Sequence, residues 1–279
     1  MPNLTRIGNS RGRVKKIINF VSKILFSKRQ KFIAAVIILS FGLFSSEYIL
    51  GKSAISLVFI LAILTSVFLY IGLRNDLKEN FSWQVFILPF FYSLAVGLFY
   101  LLVPARLLTR VGITSLYAVG LYSLFLSQNI FTVSSIRTIA LLSGARTVSL
   151  VLTLLSYFFI SNVVFSFHIN VFVTLLIIFV YTFLIVLQTI WTYTLEKNPL
   201  SEIFWTLSLT ICLSEIALFL WFRQGSPTVL ALFLSAIFYV LTGLTHAWFE
   251  KRLFRGIILE YFWLTIIAFI FLVLFTNFG

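Results

Sequence analysis

Charge is what this chain has least of. Asp, Glu, Lys and Arg together make up 10% of its 279 residues, against about 25% in an ordinary soluble domain. Only 8 residues are acidic, and Asp76 is the single aspartate. A water-soluble fold of this length needs far more polar surface to cover its core, so that class is excluded. Disorder is excluded as well, because it requires low hydrophobicity. Cysteine occurs once, at Cys212, which rules out a disulfide framework, a CxxC motif and a cysteine zinc site. Histidine occurs only at His168 and His246, so no metal centre is expected. One aspartate also excludes enzymes built on aspartate pairs, such as the DDxxD prenyl-lipid class. No P-loop, HExxH or GxSxG motif is present, and no cofactor is expected.

Apolar residues are what it has in abundance: 61% hydrophobic, 18% aromatic, with 33 Phe. The class that remains is a polytopic membrane protein. A bilayer core takes about 20 helical residues. Backbone groups in lipid must pair within their own segment, so each apolar run is read as a helix. The runs do not alternate as barrel strands do. Nine qualify: 32–50, 54–73, 83–103, 111–126, 147–167, 171–191, 203–222, 228–248 and 257–275. The reading is an all-α transmembrane bundle over residues 32–279, preceded by a basic cytoplasmic tail, 1–31. Pro89 removes a donor inside the third span and predicts a kink near its start. The first apolar run opens late and no A-x-A site follows it, so it reads as a retained span.

Segment 127–146, SQNIFTVSSIRTIALLSGAR, starts too polar to span, and the charge-free run behind it spans alone. It is assigned to the cytoplasmic interface as a short amphipathic or re-entrant helix.

Nine basic residues and no acid lie in the first 31 positions. Beside a span, such a tail attracts anionic lipid headgroups, worth about 1 kcal/mol per basic residue. Lipid is preferred here to nucleic acid or ribosome, and no specific nucleic-acid partner is expected. With the N-terminus in the cytoplasm, 17 of the 21 basic residues fall inside and 4 outside, as the positive-inside rule requires. The C-terminus is then outside, and the membrane is read as a bacterial inner membrane. An eight-span arrangement breaks the alternation around Lys197 and the 251–255 cluster.

Ionisable groups inside spans are the first candidates for function, because each is costly there. Glu215 lies twelve positions into the seventh span, and Ser208 shares its face by helical spacing. It reads as a proton, cation or substrate contact, or as a structural carboxyl bonded to a neighbouring helix. Arg137 and Arg146 are nine residues apart among hydroxyls and Gly144. They read as a phosphate or headgroup site, or as anchors that snorkel to the interface. His246, beside Trp248, reads as a ligand or as a hydrogen-bonded interfacial residue.

The run Asn129–Ser149, NIFTVSSIRTIALLSGARTVS, with its flanking spans, resembles an uncharacterised family of multi-pass membrane proteins from candidate-phylum bacteria. In that family a similar N-I-F … R-T-I … T-V-S run joins two spans. The resemblance implies a membrane compartment and a span architecture, and no activity. It draws attention to Arg137.

Three functions are compatible with these residues. One is a transporter-like protein using Glu215 and neighbouring polar groups, and not evidently an enzyme. The second is a membrane enzyme handling a lipid or phosphate headgroup at Arg137 and Arg146. The third is a structural or assembly protein.

Overall fold

The computed structural model describes residues 28–50, 54–77, 82–104, 106–134, 141–195, 200–223 and 225–276. Its elements in chain order are α1 (Lys28–Leu50), α2 (Ala54–Leu77), a 3₁₀ turn (Trp83–Phe86), α3 (Ile87–Leu102), α4 (Leu107–Ser134), α5 (Leu142–Ser166), α6 (Val171–Thr194), α7 (Leu200–Trp221), α8 (Pro227–Phe249) and α9 (Arg255–Phe275). Among the described residues, nine helices are long and apolar enough to cross a membrane. The fold class is therefore an all-α bundle of a multi-pass membrane protein.

The expected interfacial helix needs correction. Residues 127–134 continue α4, and residues 142–146 open α5; residues 135–140 lie outside the described residues. The polar start of the segment does not end the helix because its side chains turn inward. Ser127, Gln128 and Thr132 are all buried. The Ser127 hydroxyl donates to the Ser123 carbonyl at 2.9 Å, and Thr132 to that of Gln128 at 2.8 Å. Such bonds within the helix satisfy a hydroxyl without unwinding the backbone.

Two further boundaries move. α1 begins at Lys28, so residues 28–31, read as tail, are helical. The Lys28 ammonium meets Asp76 at the end of α2, 2.6 Å away. The tail before Lys28 lies outside the described residues. Pro89 falls in the first turn of α3, where a backbone donor has no intrahelical acceptor, so its absence costs little. The irregularity sits before it, in the 3₁₀ turn.

α3 and α5 occupy the centre. α3 packs on α2, α4 and α5; α5 packs also on α4, α6 and α8. Hydroxyl bonds stitch these helices together. Tyr92 donates to the Leu116 carbonyl at 2.8 Å, and Ser93 meets the Tyr117 hydroxyl at 2.8 Å. Tyr157 pairs with Thr182 at 3.0 Å, Ser161 with Tyr181 at 2.7 Å, and Asn162 donates to Thr228 at 3.0 Å. Each such bond in a membrane bundle is worth about 0.6 kcal/mol. At Gly120, a side chain would run into the Tyr92 hydroxyl, so the glycine permits that close approach. The outermost helix is α9, which packs chiefly on α8.

α8 ends in a Schellman turn. The Arg252 amide donates to the Ala247 carbonyl at 2.9 Å, and the Lys251 amide to that of Trp248 at 3.0 Å. Lys251 holds the left-handed position, φ 56°, where glycine is usual. For a residue with a Cβ that conformation costs about 1–2 kcal/mol.

Candidate functional site

Successive helices alternate in direction, so one end of the bundle collects the start of α1 and the ends of α2, α4, α6 and α8. Lys28, Arg29, Lys31, Arg74, Arg146, Lys251, Arg252 and Arg255 lie at that end, called here the basic face. Arg106, Arg110 and Arg223 lie at the other.

Near the basic face, α5, α6 and α8 build a polar aromatic cluster. Arg146, the fifth residue of α5, donates through Nε to the Thr192 carbonyl at 3.1 Å. Its Nη2 donates to the Tyr193 carbonyl at 3.0 Å. These carbonyls belong to the last turn of α6, which has no further helical turn to bond them. The guanidinium also lies over the Tyr193 ring, 4.7 Å from its centroid. Tyr193 in turn stacks on His246, with centroids 3.7 Å apart and planes at 22°. The remaining Arg146 nitrogen faces Glu250 at 3.7 Å, and Glu250 faces Arg252 at the same distance. Beside this cluster the Thr194 hydroxyl bonds the buried Glu202 carboxylate. His246 is 5% exposed, and its Nε2 meets no hydrogen-bond partner among the described residues.

A second polar group lies one face further round α6. Phe131 of α4 meets Trp191 of α6 edge to face, centroids 6.3 Å apart. α4 and α6 run in the same direction. Gln128 and Gln188 each precede that contact by three residues, so both lie about one turn deeper on their own helices. The 3₁₀ turn packs against α4 and α6 at this end and contributes the buried Gln84. Gln128 and Gln188 are both 0% exposed. The oxygen and nitrogen of both carboxamides, and the indole Nε1 of Trp191, have no partner among the described residues. Leaving a buried polar group unpaired costs about 1–3 kcal/mol. α4 and α6 thus each hold a buried carboxamide whose hydrogen-bonding atoms find no partner among the described residues.

Of the five residues singled out in the sequence, Arg146 and His246 come together, joined through Tyr193. Glu215 and Ser208 do share a face of α7, but that face is exposed and belongs to neither cluster. The Ser208 hydroxyl donates to the Phe204 carbonyl of its own helix at 2.9 Å. Arg137 lies outside the described residues. Among the described residues, no three His, Cys, Asp or Glu side chains converge as metal ligands. Sequence reading overlooked Gln188 and Trp191 as interior groups, and Tyr193 as the link between Arg146 and His246. A glutamine inside a continuously apolar run is the signal that was available.

No curated protein and no solved structure matches this chain. A family model does match, over residues 20–275. The chain belongs to the family described as "Protein of unknown function (DUF5656)".

Proposed function

We propose that this is a permease-like protein of a bacterial inner membrane that passes a small, neutral, polar solute. The transit site is the carboxamide layer of Gln128 and Gln188. The observation that carries the reading is the set of unpartnered amide atoms, contributed by two helices and fully buried. A carboxamide offers two donors and two acceptor sites. A neutral solute with hydroxyl or amide groups satisfies them, and no counter-charge is needed. Neither carboxamide has an ionised partner among the described residues, which favours a neutral solute over an ion. The N-terminus is cytoplasmic and the C-terminus outside, since the basic residues gather at the end where α1 begins. Transit requires the Phe131–Trp191 contact between α4 and α6, which lies on the basic-face side of both glutamines, to open.

The headgroup-enzyme reading has less support. Its Arg146 guanidinium is already committed to two carbonyls and an aromatic ring.

The test is stopped-flow light scattering on proteoliposomes challenged with glycerol or urea. Wild-type protein is expected to speed solute entry over empty vesicles, and Gln188→Leu to abolish the gain. No acceleration with either solute, or equal acceleration by the variant, overturns the proposal.

A further inference from the structure

The turn between α8 and α9 carries a feature independent of the carboxamide layer. A cavity of about 450 Å³ opens there, lined by Trp248, Phe249, Lys251 and Leu253. Of the lining residues Lys251 carries a charge, and two arginines follow it in the turn. Lys251, Arg252 and Arg255 lie within five consecutive positions. The nearby carboxylate, Glu250, is shared between Arg146 and Arg252, at 3.7 Å from each. Two acids, Glu250 and the exposed Glu260 of α9, are set against four cations, Arg146, Lys251, Arg252 and Arg255, so positive charge stays in excess. Arg252 is 74% exposed, so its remaining donors point to solvent.

The surface beside this turn is of the opposite character. Trp248, Phe254, Ile258, Leu259 and Phe262 are exposed along the end of α8 and the first turns of α9. α9 packs chiefly on α8, which leaves these side chains uncovered by the rest of the bundle. Lys251 is also held in the left-handed backbone conformation, which glycine would adopt without strain. A lysine stands where the backbone alone favours glycine.

We propose that this turn is a binding site for an anionic phospholipid of the leaflet on the basic face. The phosphate sits among Lys251, Arg252 and Arg255, and an acyl chain lies along Trp248 and the exposed side of α9. Charge complementarity selects the head: guanidinium groups fork onto phosphate oxygens. The apolar cavity wall selects a molecule with a tail over a free anion.

Native mass spectrometry of the delipidated full chain tests this. Phosphatidylglycerol, phosphatidylcholine and glycerol 3-phosphate are titrated separately. The expected result is about tenfold tighter retention of one phosphatidylglycerol than of phosphatidylcholine, with glycerol 3-phosphate weaker than both. The triple variant K251Q/R252Q/R255Q is expected to lose that preference. A variant of the tail, K15Q/K16Q, should keep it. Equal retention of the two lipids by wild-type protein overturns the proposal. So does an unchanged preference in the triple variant, and so does binding of glycerol 3-phosphate as tight as that of the lipid. Lys251→Gly serves as a folding control: it relieves the turn while removing one cation, so a well-folded variant with reduced preference supports the assignment.

Discussion

Tyr193 lies face to face on His246, ring centroids 3.7 Å apart, with the Arg146 guanidinium also over the tyrosine ring. Three helices are thereby joined through one aromatic side chain. The stack depends on the flat ring of His246 rather than on its buried Nε2, which has no partner among the described residues, and the imidazole makes one hydrogen bond to the Thr189 backbone. His246→Phe is therefore expected to change thermal stability in detergent by less than about 1.5 kcal/mol, as a shape-conserving swap. His246→Ala empties the space and should cost about 3 kcal/mol. Equal losses for the two variants would show that the imidazole nitrogens, and not the stack, hold the cluster.

Arg146 ties the start of α5 to the end of α6 by two charge-assisted bonds. Lysine keeps the charge but lacks the planar fork and stacks poorly on a ring. Arg146→Lys should destabilise the protein by about 2 kcal/mol, read as a lowered unfolding midpoint. A variant as stable as wild type would mean that the α6 carbonyls need no cap.

Two glycines of α4 make a matched pair. A methyl group at Gly120 meets the Tyr92 hydroxyl, whereas one at Gly112 meets nothing within 4 Å. Gly120→Ala should cost about 1–3 kcal/mol through overpacking and loss of the Tyr92 bond to Leu116. Gly112→Ala should be neutral, or gain up to about 1 kcal/mol from helix propensity. Unfolding curves of the two variants in one detergent give the comparison directly.

Glu215 lies on the exposed face of α7. Glu215→Gln is expected to leave solute flux in proteoliposomes unchanged. A loss as large as that of Gln188→Leu would place the carboxylate in the transit path after all.

Span architecture was legible in the sequence because lipid sets both the length and the composition of a helix that crosses it. The start of α6 and the turn at 168–170 follow from runs that break at polar residues, whereas the start of α5 lies five residues before the charge-free run that marked it. Facing was not legible. α7 is apolar nearly all round, so nothing in its pattern reveals that Glu215 and Ser208 look outward while Thr206, Thr210 and Leu213 look in. The same ambiguity, in reverse, hid α4: Ser127, Gln128 and Thr132 read as an interfacial break, yet their burial prolongs the helix. Arg146 and His246 could be chosen by residue type alone. Their junction could not, because Tyr193 looks like any aromatic residue of the headgroup belt until α5, α6 and α8 are packed.

The most direct measurement pairs stability with flux in Gln188→Leu. A carboxamide with no partner should be cheaper to replace by an apolar side chain than to keep. The unfolding midpoint of the variant is therefore expected to equal or exceed that of wild type. Glycerol or urea entry into proteoliposomes is expected to fall to the rate of empty vesicles. A variant that unfolds earlier and still conducts at the wild-type rate would contradict the account, by making the buried amides a packing feature and not a place for a solute.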